Sequence, residues 1–256
     1  VARQGLIDHA DSLGATARYG NGDVQWLTAG AGIQHAEMFP LLNQEADNPA
    51  ELFQIWLNLP GAKKFAKPHF AMFWDNIIPK MEIKDDAGKL TKLTIVAGAL
   101  GDETPPSPPP DSWASQAGSD VAIWTMALEA NAKVSLPPAK EGSLRTLYFF
   151  KGKTLHVAGD EIPSRHVVQV EEEGVLDLIN GPEPSEVLLL QGRPIGEPVA
   201  KYGPFVMNTK EEIHQAVADY QATRFGGWPW PENDPVHGPV PKRFAKHADG
   251  RVDEPT

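Results

Sequence analysis

The sequence predicts an all-β fold, built as two tandem sandwich- or barrel-type domains with a short C-terminal helix and an irregular tail. Three observations carry this expectation. With 24 prolines and 23 glycines among 256 residues, the chain favours short strands and frequent turns over long helices. Short apolar or alternating runs recur between turn signals in both halves. The 41% of apolar residues suffices for the core of one large or two ordinary domains.

Taken in order, Val1 reads as lying inside a strand, so the natural start is expected upstream of it. Leu6-Ile7 then leads into the turn Asp11-Ser12-Leu13-Gly14. Asn21-Gly22-Asp23 is a tight-turn signal, and Val24 to Ala29 follows as a strand. Leu52 to Leu59 sets Phe53, Ile55, Leu57 and Leu59 against Gln54, Trp56 and Asn58, the pattern of a strand with one buried face, and Pro60-Gly61 ends it. The turn Asp85 to Gly88 precedes a strand over Leu90 to Val96. Thr104 to Pro110 is proline-rich, can neither join a sheet nor continue a helix, and reads as an extended linker.

The second half repeats the texture, with strands expected at Val121 to Leu128, Leu144 to Phe150, Val167 to Val170 and Val187 to Leu190. The organisation expected is therefore an N-terminal domain over 1–103, a linker over 104–112, a second domain over 113–200 and a C-terminal segment over 201–256. Within the last, a helix is predicted over about 209–223. Thr209 is a good N-cap, Glu212 completes a capping box, and Ile213, Ala216, Val217 and Tyr220 form one apolar stripe. Residues 228–256 are too proline-rich for regular structure, with their tryptophans expected to pack along the surface.

A formal net charge of −11 disfavours binding to a phosphate backbone, which needs clustered Lys and Arg; Lys63-Lys64 and Lys242-Arg243 are too short to supply it. No apolar run is long enough to cross a bilayer, and Val1 to Gly5 is not a secretory signal. The absence of cysteine rules out disulfides and thiolate ligands. A cytoplasmic monomer is the default expectation, and neither a Gly-x-Ser-x-Gly, a Walker-type loop nor a dinucleotide fingerprint is present.

The chemistry centres on His35 and Glu37. Side chains two apart on a strand project to the same face, so an imidazole and a carboxylate can converge on one ion. That donor pair suits iron, nickel, copper, manganese or zinc. A His-x-Glu pair alone is also the pattern of a hydrogen-bonded surface pair. His156 and His166 lack such a partner, so a second metal is not expected.

The string Gly22-Asp23-Val24-Gln25-Trp26-Leu27-Thr28-Ala29-Gly30-Ala31-Gly32-Ile33-Gln34-His35-Ala36-Glu37-Met38 resembles the second metal-binding motif of the pirin family, a branch of the cupin superfamily. Tyr202 to Thr209, followed by Glu211-Glu212-Ile213, resembles the pirin C-terminal signature, and Gln191 to Val199 fits between them. The resemblance runs from about Gly5 to Gly226. It implies two cupin domains, each a jelly-roll-like barrel, and one divalent transition metal per chain. Fe(II) is the implied metal, with Ni, Cu, Mn and Zn as alternatives.

His35 and Glu37 match a histidine and the glutamate of the family's three-histidine, one-glutamate site. The other two histidines belong to a His-x-His-Arg-Gly motif that the family order puts before Val1, and this sequence does not contain it. His9 and Asp11 form an alternative ligand pair, although the family pattern makes their stretch a turn in which Asp11 hydrogen-bonds the backbone. Gly30 and Gly32 are read as the turn that delivers His35. Gln25, Trp26, Phe53, Ile55 and Trp56 are candidate cavity walls, with core packing as the competing reading.

Two functions follow from the resemblance. The first is a quercetin 2,3-dioxygenase-type oxygenase acting on a flavonol and dioxygen, in which Glu37 takes the substrate's hydroxyl proton. The second is a metal-dependent regulator that binds a transcription factor or a metabolic enzyme, for which the acidic balance suits a protein partner better than DNA.

Overall fold

The structure, a computed structural model, describes residues 1–256 and is β-rich, with a single α-helix, Lys210–Thr223. It divides into two compact units, one formed by 1–76, 109–113 and 195–256 and the other by 77–108 and 114–194.

The second unit has two antiparallel sheets. One has six strands in the order His166–Val170, Leu144–Lys151, Ser185–Gly192, Ala122–Leu128, Leu90–Ala97 and Lys80–Lys84. The other has four, in the order Lys133–Leu136, Leu176–Asn180, Thr154–Val157 and Asp160–Pro163. Strand alternation explains the core: Leu147 and Phe149 from one sheet and Leu155, Leu176 and Leu178 from the other are buried in a common cluster, while their neighbours face outward.

In the first unit, a five-stranded antiparallel sheet runs Val252–Asp253, Phe244–Lys246, Thr16–Gly20, Leu6–Asp11 and His35–Met38. Val24–Thr28 pairs with His69–Phe73, and Ala2–Gln4 with Glu51–Leu52. Ile7, Ala17 and Tyr19 from the five-stranded sheet meet Phe70, Met72 and Trp74 in one apolar cluster. The helix begins as the sequence indicates: Thr209 Oγ1 accepts from Glu212 N at 3.1 Å, and Glu212 Oε2 accepts from Thr209 N at 2.9 Å. No helix is long and apolar enough to cross a membrane.

Three expectations about organisation differ from the structure. The division at 104–112 does not coincide with that of the compact units, because Lys80–Lys84 and Leu90–Ala97 belong to the six-stranded sheet and carry Leu93 and Ile95 into its core. Proline excludes ladder bonding, which is why Thr104 to Pro110 resembles a linker; in fact it connects two neighbouring strands of one sheet. Second, of the strand expected over 52–59 only Leu52 lies in a ladder strand, Glu51–Leu52. Alternation made residues 53–59 look like a strand, but beyond the reciprocal bonds of Phe53 with Val1, Phe53 N to the Val1 carbonyl and Val1 N to the Phe53 carbonyl, each 3.0 Å, they join no ladder.

The third difference lies in the tail. Phe244–Lys246 joins Thr16–Gly20 as a sheet neighbour, so 228–256 is structured in part. Its anchor is an ion pair that is wholly buried. Arg18 donates from Nε to Asp8 Oδ1 at 2.6 Å and from Nη2 to Asp8 Oδ2 at 2.7 Å, and from Nη1 to the carbonyl of Val240. Asp8 Oδ2 also accepts from His237 N at 2.9 Å. Thr16 Oγ1 donates its one proton to the His9 carbonyl at 2.7 Å, so His237 Nε2, 2.8 Å away, is the donor in the bond to that hydroxyl.

Removing one member of a buried ion pair leaves the other charge uncompensated. Asp8→Asn is therefore expected to lower stability by about 3–5 kcal/mol in urea unfolding and to speed exchange of the His237 amide proton. A loss below about 1 kcal/mol would show that the pair does not anchor the tail.

Candidate metal centre

Antiparallel pairing explains how separate parts of the sequence converge. Leu6–Asp11 lies against His35–Met38 in the register His9 to Glu37 and Asp11 to His35. Residues directly opposite share a face, as do residues two apart, so His9, Asp11, His35 and Glu37 all project to one side. One donor atom from each of His9, His35 and Glu37 lies within 4.8 Å of the others. Asp11 is engaged differently, as its turn sequence indicated. Its Oδ1 accepts from Leu13 N at 2.9 Å and Ala15 N at 3.0 Å, while Oδ2 is 3.3 Å from His9 Nε2.

Each ligand candidate is held by its surroundings. His9 is fully buried and stacks on Phe70 with ring centroids 5.2 Å apart. On Phe70 also rests His247, edge-on at 5.4 Å, whose Nε2 is 2.6 Å from Asp253 Oδ2. His9 Nδ1 is buried without a hydrogen-bond partner, which is the state of a nitrogen lone pair available to a metal. His35 follows a turn that depends on Gly30 and Gly32, at φ of +51° and +124°. A Cβ on Gly30 would come within 2.0 Å of the Ala66 carbonyl oxygen, and one on Gly32 within 2.5 Å of the Phe225 ring.

Glu37 has a neighbour that sequence reasoning missed. Tyr19 donates from its hydroxyl to Gln25 Oε1 at 2.9 Å and lies 3.5 Å from Glu37 Oε1. Burial, then the Glu37 charge, pushes the phenol's pKa well above its ordinary value, so it remains a neutral donor. Gln25 Nε2 is buried and unpaired. Tyr19 is legible only as the inward position of a strand; Phe70 and His247 carry no local signal.

The other expected cavity residues are engaged elsewhere. Trp26 projects from the opposite face of its strand to Gln25 and packs near Phe73 at 6.1 Å. The Phe53 ring lies under the Arg3 guanidinium at 5.5 Å. Trp56 is 59% exposed, with Lys201 Nζ 4.9 Å from its ring centroid, so it lies at the surface. Ile55 is half-buried in a segment without ladder bonds.

Two imidazoles and one carboxylate, one of the imidazole nitrogens buried and unpartnered, fit a borderline divalent metal. The electrostatics favour that state as well. Desolvation lowers the pKa of His35, with the charge of His9 acting in the same direction against Glu37 and Asp11. The ring is thereby held in the neutral form a metal requires.

Comparison with known proteins adds independent findings. A family model for pirin matches residues 1–57, and one for the pirin C-terminal cupin domain matches residues 123–226. The chain is 34% identical over 228 residues to a pirin-like protein of Caulobacter vibrioides, covering 87% of this chain and 74% of that one. It is 32% identical over 227 residues to pirin of Homo sapiens, covering 87% and 71% respectively. A crystal structure of quercetin 2,3-dioxygenase from Acinetobacter baumannii superposes with a TM-score of 0.77 at 31% identity, over 89% of this chain and 75% of that one.

The lowered pKa of His35 has a definite sign in stability. As pH falls below the ordinary value of 6.5, an unfolded His35 protonates before the folded one, so the native state loses stability until the folded ring also protonates. The metal-free protein is expected to weaken as pH falls through the ordinary value of 6.5, and His35→Ala to flatten part of that decline in urea midpoints. An identical pH profile in the variant would contradict the assignment.

Proposed function

The chain belongs to the pirin family of cupin proteins, and from that premise we propose that it is a metal-dependent dioxygenase that opens a flavonol such as quercetin. The observation that carries this reading is the convergence of His9, His35 and Glu37. The relationship to quercetin 2,3-dioxygenase of Acinetobacter baumannii supports the choice of substrate class.

His35 and Glu37 would hold the metal with His9, and Fe(II) is the ion we favour. Such a metal supplies Lewis acidity toward the substrate's hydroxyl oxygen and redox capacity toward dioxygen. The chain's own groups do the rest. Glu37 accepts the hydroxyl proton, its carboxylate reached by the neutral hydroxyl of Tyr19. Gln25, fixed through Oε1 by the same hydroxyl, presents the free Nε2 as a donor to a substrate oxygen. His9, stacked on Phe70, keeps its ring plane fixed as substrate arrives.

Oxygen consumption with quercetin by metal-loaded protein tests the reading. The wild-type protein is expected to take up oxygen, His35→Ala to lose stoichiometric metal in elemental analysis, and Glu37→Gln to keep much of its metal while turnover falls by about 100-fold or more. Metal bound in full without oxygen uptake would reject the enzyme and favour a metal-dependent binding protein. Undiminished turnover in Glu37→Gln would remove its role in proton transfer.

A further inference from the structure

The two histidines of the candidate centre are held in different ways. His9 is fully buried in the middle of Leu6–Asp11, with a strand on either side and the Phe70 ring against its own. His35 is exposed and is the first residue of His35–Met38, the last strand of its sheet. The turn before it carries Gly30 and Gly32 at positive φ, so the local backbone does little to restrict it. The restraint on His35 comes instead from the C-terminal helix.

Gln34, the residue before His35, is gripped through all of its polar groups. Its backbone N donates to Ser12 Oγ at 3.0 Å, and its carbonyl accepts from Ser12 N at 2.8 Å. Its side chain reaches the end of the helix Lys210–Thr223. Nε2 donates to the Arg224 carbonyl at 2.5 Å, and Oε1 accepts from the Tyr220 hydroxyl at 3.4 Å. Arg224 Nη1 in turn donates to the Tyr220 oxygen at 3.2 Å.

Phe225 closes on the same turn. A Cβ on Gly32 would meet three atoms of the Phe225 ring at 2.5 to 2.6 Å, so the ring rests directly on the Gly32 backbone. Its centroid lies 5.3 Å from that of Tyr220 and 6.3 Å from that of Phe205. This seat strains the chain: Arg224 and Phe225 stand at left-handed φ of +51° and +48°, a region that residues other than glycine rarely occupy. Such conformations persist where the surrounding contacts over-determine them.

We infer that the end of the C-terminal helix positions His35 for metal binding, with Gln34 and Phe225 as the positioning residues. This role rests on the reading of His35 as a metal ligand. Neither residue is among those whose donor atoms converge, so both act through the backbone that leads into His35. A metal site gains affinity when its ligands are in place before the ion arrives. For His9 the interior of the sheet provides that order; for His35 it is provided by contacts 190 residues along the chain.

Calorimetric titration of the metal-free full chain with Ni(II), a borderline ion that imidazole suits, tests the role beside 15N relaxation of the same samples. Gln34→Ala and Phe225→Ala are expected to weaken nickel binding about tenfold or more, and Phe225→Tyr, which keeps the ring, to bind as the wild-type protein does. Without metal, the order parameter of the His35 amide is expected to fall from about 0.85 to about 0.6 or below in both alanine variants, while Ile7 and Ala17 in the sheet keep theirs. The role is overturned if His35 keeps its order or nickel its affinity in Gln34→Ala, or if Phe225→Tyr loses as much as Phe225→Ala. It is overturned equally if Ile7 and Ala17 loosen along with His35, as general destabilisation would make them do. If Phe225→Ala does not fold, Gln34→Ala decides alone. A wild-type chain that binds no nickel would reject the metal-binding reading, and the His35 order parameters would then decide by themselves whether the helix end holds that residue.

Discussion

The register between Leu6–Asp11 and His35–Met38 is the constraint on which the first unit depends. It sets His9 opposite Glu37 and Asp11 opposite His35 on one face of the sheet. On the other face of the same strand, Asp8 pairs with Arg18 and holds the returning tail. Because side chains alternate with a period of two, a slip of one residue would exchange these faces, taking the histidine from its cluster and the carboxylate from its arginine together. The candidate metal centre and the buried ion pair therefore enforce each other's position.

That double use accounts for a burial pattern that would otherwise look anomalous. Every residue of Thr16–Gly20 is buried, although Thr16 and Arg18 are polar. Ala17 and Tyr19 face the apolar cluster, while Thr16 and Arg18 face the tail through His237 and Val240. The tail also reaches the candidate site indirectly, since His247 supports the Phe70 ring against which His9 stacks. A C-terminal stretch with few features of its own thus contributes to the geometry of a site built from the first forty residues.

The two units treat a buried arginine in opposite ways. In the first, Arg18 is compensated by a bidentate carboxylate, as an interior charge requires. In the second, Arg145 occupies an inward strand position next to Leu147 and Phe149, where alternation alone would call for another apolar residue.

Much was legible in the sequence because it depends on local chemistry. Proline and glycine punctuation gave the β-rich class, Thr209 and Glu212 marked the start of the helix, and the i, i+2 spacing of His35 and Glu37 put both on one face before any fold was known. Motif resemblance added the family. What depends on pairing over long separations was not legible. The alternation of Leu52 to Leu59 is genuine, but a strand also needs a neighbour to receive its hydrogen bonds, and here pairing ends with Leu52 against Ala2 and Phe53 against Val1. Which sheet takes Lys80–Lys84 and Leu90–Ala97, that His9 completes a triad, that Tyr19 reaches Glu37, and that residues 244–246 return to Thr16–Gly20 were all decided by tertiary pairing. The physical reason is the same in each case: a side chain's type and its face on a strand are written locally, whereas the partner across the ladder is selected by the packing of the whole unit.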